Sequence, residues 1–163
     1  MRIAELHLDA FGPFSDRRLA LGGASEPGLC VIYGPNEAGK SSALRAIRGL
    51  LYGIPHQSED NFIHRHQDLR VGARLCFHDG LSAELVRRKG TKQTLLGLGD
   101  HGERVVERLQ ALAQVIPETV FAHFYGLDHR ALVEGSRSLL EDEGELGRAL
   151  FGAGLGIVHL RQL

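Results

Sequence analysis

The chain has 163 residues, 43% apolar and 24% charged, about one domain's length with enough apolar material for a core. With 19 basic and 20 acidic side chains, net charge gives no argument for a nucleic-acid or membrane partner, and any such contact needs a local patch. Cys30 and Cys76 lie in separate apolar runs with no C-x-x-C spacing, which predicts buried free thiols and no metal site.

No run approaches the ~18 apolar residues that span a bilayer, and Met1-Arg2-Ile3-Ala4-Glu5 lacks the apolar centre of a secretion signal. A cytoplasmic protein without membrane contact is expected. In chain order, Arg2 to Ala10 alternate apolar and polar residues, predicting a half-exposed strand, and Phe11-Gly12-Pro13-Phe14 predicts a turn. A second short strand is expected over Arg18 to Leu21, then a Gly-, Ser- and Pro-rich loop from Gly22 to Gly28. Leu29-Cys30-Val31-Ile32-Tyr33 is a continuous apolar run, predicting a buried strand.

Gly34-Pro35-Asn36-Glu37-Ala38-Gly39-Lys40-Ser41 follows, a complete match to G-x-x-x-x-G-K-[ST]. Glycines at both ends let the backbone wrap phosphates, and N–H groups at a helix start add partial positive charge. Residues Gly34 to Ser42 are therefore the candidate nucleotide contacts. Lys40 is placed to reach the β- and γ-phosphates and the Ser41 hydroxyl to ligate Mg²⁺. Leu44, Ile47, Leu50 and Leu51 recur at helical spacing, predicting a helix from about Gly39 to Tyr52 that ends at Gly53 and Pro55.

Residues His56 to Leu69 are polar and read as an irregular loop. His64-Arg65-His66 makes a poor ligand set, so exposed loop histidines are expected rather than a metal site. Val71 to Phe77 and Leu81 to Val86 alternate around His78-Asp79-Gly80, a hairpin with Asp-Gly as its turn. Arg87-Arg88-Lys89-Gly90-Thr91-Lys92 is the one dense basic run, either a solvated strand end or a set of phosphate-backbone contacts. From Glu103, Val105, Val106, Leu109, Leu112 and Ile116 mark an amphipathic helix stopped by Pro117. Helices are expected over Glu118 to Tyr125, His129 to Leu140 and Glu145 to Phe151, before the Gly-rich linker Gly152 to Gly156. The organisation is a strand-rich nucleotide-binding lobe over 1–100 and a helical segment over 101–163.

No strand ends in the acidic pair that completes a P-loop ATPase; Leu139-Leu140-Glu141-Asp142-Glu143 has only two apolar residues before its acids and reads as a surface helix end. The chain holds groups that bind a nucleotide and lacks those that cleave it.

Ala10-Phe11-Gly12-Pro13-Phe14, the phosphate loop through Ser42, Gly49-Leu50-Leu51-Tyr52-Gly53, and Val71-Gly72-Ala73-Arg74 leading to Val86-Arg87-Arg88 together resemble the N-terminal lobe of SMC/SbcC-type ABC ATPase heads. Phe124-Tyr125-Gly126-Leu127-Asp128-His129 and Gly144 to Gly154 resemble the YhaN-type branch of these P-loop ATPases more narrowly. The resemblance implies an α/β P-loop fold: a mixed sheet with hairpin, the phosphate-loop helix and a C-terminal helical segment leading to a coiled coil. It implies ATP and Mg²⁺ as cofactors, a C-terminal lobe of the same ATPase that completes the site, a second head in a homodimer, DNA as partner, and a nuclease subunit in some members. The expected function is the N-terminal lobe of a DNA-repair or chromosome-maintenance ATPase, inactive or very weak alone.

Where SbcC-type relatives place a glutamine near Mg²⁺ and the attacking water, this chain has Asp128 and His129, the candidate substitutes, although Asp128 also suits a helix cap. The resemblance makes Arg87, Arg88, Lys89 and Lys92 candidate DNA contacts, and Arg65 a candidate nucleotide contact. The alternatives are a small P-loop kinase, for which no cluster of lid arginines occurs, and a non-catalytic nucleotide-binding interaction module, against which Lys40 and Ser41 are intact.

Overall fold

The first two strands form a hairpin, β1 (Arg2–Phe11) and β2 (Phe14–Ala20), closed by Gly12 and Pro13. The structure is a computed structural model that describes residues 1–22, 29–126 and 132. The chain divides into two units, Met1–Glu118 and Thr119–Leu163. In the first, the hairpin is followed by helix α1 (Lys40–Tyr52), strands β3 (Arg70–Cys76), β4 (Ser82–Arg88) and β5 (Leu95–Leu98), and helix α2 (Gly102–Val115). Helix α3 spans Glu118–Phe124. Within the second unit the Phe121 and Tyr125 rings stack at 6.1 Å, and Gly126 N–H donates to the Phe121 carbonyl at 2.8 Å.

The strands lie in the order β2-β1-β3-β4-β5, every neighbouring pair antiparallel. Because the side-chain period in a strand is two, the register sorts residues between faces. Leu6 stands opposite Ala73, and Ala73 opposite Leu85, an apolar row that is fully buried. Helix α1 packs across β1, β3 and β4 through Ala43, Ala46 and Leu50. The other face is charged: Glu5 opposes Arg74, and Arg74 opposes Glu84, so unlike charges meet across strands.

The β3–β4 turn forms where Asp79-Gly80 predicts it. Gly80 N–H donates to the Phe77 carbonyl at 3.1 Å, and the Asp79 carboxylate accepts the Leu81 N–H at 3.3 Å. Helix α2 covers this end with Val105 and Leu109, while Arg108 pairs with Asp79 at 2.6 Å and lies 5.2 Å over the Phe77 ring. That pairing holds the Asp79 carboxyl below its ordinary range. Strand β5 was not expected, since four residues interrupted by Gly97 carry almost no periodic signal.

Three expectations are corrected. Leu29 to Tyr33 is not a buried strand: Leu29 and Tyr33 are over nine-tenths exposed, Val31 73% and Ile32 42%. The sheet is consequently antiparallel rather than mixed, because the segment that would run parallel within it pairs with no described strand. Cys30 shares this exposure, and Cys76 is half-buried, so neither is the buried thiol expected. Residues 127–131 and 133–163 hold the predicted third and fourth helices, the Gly-rich linker and the acidic run at 139–143, all outside the described residues.

Candidate functional site

The phosphate loop leads into α1 with Gly39 at the helix cap in the left-handed region, φ 85°, and Glu37 also at positive φ, 65°. Lys40 opens the helix. Its ammonium donates to the carbonyls of Gly34 at 2.8 Å and Pro35 at 2.6 Å, folding the side chain back over its own loop. Ser41 is exposed, and its hydroxyl has no partner among the described residues. Two hydrogen bonds brace the turn: Ala38 N–H to the Pro35 carbonyl at 3.3 Å and Ala43 N–H to the Gly39 carbonyl at 2.9 Å.

The loop is seated by the tip of the β1–β2 hairpin. A Cβ at Gly39 would lie 2.4 Å from the Phe14 ring and 3.0 Å from Pro13. At Gly12, φ 57°, a Cβ would lie 2.9 Å from Ser42. The two backbones therefore approach only because both positions are glycine. Gly12 N–H also donates to the Asp60 carbonyl at 2.7 Å. Asp60 is buried, its carboxylate held bidentately by Arg45 of α1 at 2.8 and 2.7 Å; Arg45 in turn donates to the Ser42 hydroxyl at 3.1 Å. His64 Nε2 lies 2.7 Å from the Phe14 carbonyl, and His66 Nε2 lies 2.6 Å from the His56 carbonyl. The histidines expected as exposed are thus half-buried ties that hold the 56–69 loop in place.

Hairpin tip, phosphate loop and polar loop enclose a cavity of about 560 Å³ lined by Asn36, Glu37, Lys40, Ser41, Pro13 and Phe62 among others. Phe62, 60% exposed, supplies an aromatic wall that sequence reading missed. Its one signal is Phe62-Ile63 as an apolar pair in a polar stretch. Arg45 and Asp60, 15 residues apart, give none.

The residues present fit a Mg²⁺-bound nucleoside triphosphate. The loop precedes a helix N-terminus, a side chain at Gly34 would press on Ala38 at 3.1 Å, and the Lys40 ammonium and Ser41 hydroxyl share one cavity. Arg65 is not among the residues lining this cavity; it lines another, with Lys89. Arg87 is turned inward: its guanidinium donates to the Leu50 carbonyl at 3.1 and 2.9 Å, to the Leu51 carbonyl at 3.1 Å and to Thr94 at 3.2 Å, capping the last turn of α1. Burial pulls its pKa below the ordinary value. Lys89 donates to the Ile54 carbonyl at 3.4 Å and to that of Pro55. Of the basic run, Arg88 and Lys92 remain on the surface. Asp128 and His129 lie outside the described residues.

A second polar group, Glu5, His7 and Glu84, brings three ligand-type atoms within 4.8 Å of one another. His7 Nε2 is 2.8 Å from the Glu5 carboxylate, and Arg18 reaches the imidazole at 2.6 Å and Glu5 at 3.9 Å. With Arg74 opposite both glutamates, two guanidinium groups already balance two carboxylates. The group is an ion network of the sheet's outer face rather than a metal centre.

A family described as an AAA domain matches residues 1–163. The chain is also similar to a protein of Bacillus subtilis (strain 168) named "Uncharacterized protein YhaN", 29% identical over 157 residues. That match covers 94% of this chain and 16% of the relative, so the chain spans about a sixth of the relative's length. No helix among the described residues is long and apolar enough to cross a membrane. With a phosphate loop opening α1 and the family match running the full length, the chain belongs to the AAA-domain family of P-loop ATPases.

Proposed function

We propose that this chain is the ATP- and Mg²⁺-binding N-terminal lobe of an SbcC/YhaN-like ATPase that acts in DNA repair or chromosome maintenance. In this reading hydrolysis is completed by a C-terminal lobe of the same protein and by dimerisation of two heads. The observation that carries it is the phosphate-loop cavity, where Lys40 and Ser41 lie together at the start of α1. Bound Mg²⁺-ATP supplies the reactive phosphoryl group. The chain's own residues bind and orient it: loop N–H groups and the helix dipole face the phosphates, Lys40 adds a point charge, the Ser41 hydroxyl takes a metal coordination position, and Phe62 offers a face to the base. For Lys40 to serve, its ammonium must leave the Gly34 and Pro35 carbonyls. Asp60 and Arg45 tie Ser42 to the loop that carries Phe62.

Support for an absent second lobe comes from Leu29 to Tyr33. An apolar run exposed on both faces is the composition of a central strand covered on both sides, and it lies beside the phosphate loop without a strand partner among the described residues. For DNA, the reading relies on the exposed Arg88 and Lys92, since Arg87 and Lys89 are half-buried and turned toward the end of α1 and the segment after it.

Titrating Mg²⁺-ATP against the chain and Lys40→Ala tests the central assignment. Affinity should fall by at least about tenfold in the variant, the scale of one charge-assisted phosphate contact. Equal affinities would overturn it. Activity by the isolated chain at the rate of a complete ATPase would overturn the two-lobe reading while leaving nucleotide binding intact.

A further inference from the structure

A cavity of about 620 Å³ lies beyond the far end of α1, between the segment after the helix and the β4–β5 turn. Ile54 forms an apolar wall; His56, Arg65 and Lys89 contribute basic groups, and Gly90 and Thr91 close the rim. No carboxylate lines it. The polar groups there are not all engaged with the protein. The Arg65 guanidinium and the Thr91 hydroxyl have no partner among the described residues, nor do the backbone N–H groups of Gly90 and Thr91 donate to any described acceptor. By contrast, Arg48, Arg87 and Arg108 are each paired with an acid or a carbonyl.

The Arg65 guanidinium and the Thr91 hydroxyl, unpaired among the described residues, line one cavity with the Lys89 ammonium and no carboxylate, a donor-rich lining in which only Gln67 and Thr91 offer side-chain oxygen acceptors, and a planar guanidinium suits phosphate oxygens bidentately. A bare phosphate would leave most of the volume empty, whereas the space is within the range of small-molecule sites, about 300–1,000 Å³. We propose that this cavity is a second anion site, separate from the phosphate loop, that takes the phosphomonoester of a small, nucleotide-sized ligand, with Arg65 as its principal contact. Lys89 stays on the Ile54 and Pro55 carbonyls and contributes charge from the wall. Ile54 packs against the ligand's uncharged body. This assignment does not depend on the ATPase reading, since it shares no lining residue with the phosphate-loop cavity.

The test uses the Lys40→Ala chain, which silences the phosphate loop, titrated with inorganic phosphate and with adenosine monophosphate. Saturable binding is expected, tighter for the monophosphate than for phosphate and weakened about tenfold by adding Arg65→Ala, with Arg65→Lys recovering part of the loss. Because Arg65 is exposed and unpartnered, the variant should keep its fold, checked by its unfolding midpoint. In the otherwise unaltered chain, Arg65→Ala should leave Mg²⁺-ATP affinity unchanged, which separates this site from the first. Monophosphate binding that is absent, or equal with and without Arg65, would overturn the proposal. Tighter, Arg65-dependent binding of a short oligonucleotide lacking a terminal phosphate would also overturn it, assigning the cavity to a nucleic-acid backbone.

Discussion

Gly39 illustrates how much a single position can be asked to satisfy. Its left-handed backbone disfavours any side chain, and a Cβ would overlap the Phe14 ring. Gly39→Ala should therefore destabilise the chain by about 1–3 kcal/mol in urea unfolding. Pairing it with Phe14→Ala separates the causes: recovery of part of the loss measures the overlap, and an unchanged loss assigns all of it to the backbone. Glu5 offers a pH-dependent case. Its carboxyl is held below the ordinary 4.5, first by the hydrogen bond from His7, with smaller attractions to His7, Arg74 and Arg18 working against desolvation. A carboxyl whose folded pKa is depressed contributes stability above its unfolded value and loses it as pH falls through the folded value. The stability difference between the chain and Glu5→Gln should thus be constant above about pH 5 and close as pH falls below about 4. A difference that persists unchanged to about pH 3 would remove the ion network from the account.

Helix α1 is the element on which the site depends, 13 residues and so about 20 Å from phosphate loop to Arg87. Arg87 is its far anchor, donating to carbonyls that no residue further along the helix can satisfy. Arg87→Leu should cost about 2 kcal/mol, the scale of unsatisfied buried acceptors, and Arg87→Lys should recover only part because an ammonium lacks the fork. Full recovery by lysine would show that charge alone holds the helix end. This helix and the β3–β4 hairpin were legible because their signals are local: apolar spacing in one, Asp79-Gly80 in the other. The basic run showed where its charges lie along the chain but not that Arg87 faces inward, because the partner carbonyls are 36 and 37 residues away. Leu29 to Tyr33 failed for a different reason. Its apolar character was read correctly, but burial requires a neighbour, and none of the described elements pairs with it. The 56–69 loop was opaque because its order comes from contacts with α1 and the hairpin tip rather than from its own pattern.

At the scale of the molecule, the antiparallel sheet buries its apolar row beneath α1, while Leu29 to Tyr33 stays exposed and pairs with no described strand. Amide exchange should reflect this division. N–H groups of residues 29–33 should exchange orders of magnitude faster than those of β1 and β3, and the proposed two-lobe reading expects them to slow when a polypeptide carrying the proposed C-terminal lobe is added. Unchanged exchange on addition, with binding otherwise demonstrated, would remove residues 29–33 from the support for the proposed second lobe. An exposed apolar segment with unpaired backbone also offers a surface for self-association, so the isolated chain should associate with rising concentration.

The seat that Phe14 makes over Gly39 bears on how the motif can be interpreted. In a descendant that had abandoned nucleotides, Gly39 and Gly12 would still be required, because a side chain at Gly39 would collide with Phe14 of the hairpin tip and one at Gly12 with Ser42 of α1. Lys40 and Ser41 are under no such obligation: both are exposed, the lysine hydrogen-bonds carbonyls of its own loop, and the Ser41 hydroxyl has no hydrogen-bond partner among the described residues. Drift in the glycines would report a broken fold, whereas drift in Lys40 and Ser41 would report a lost ligand, and here that pair is intact.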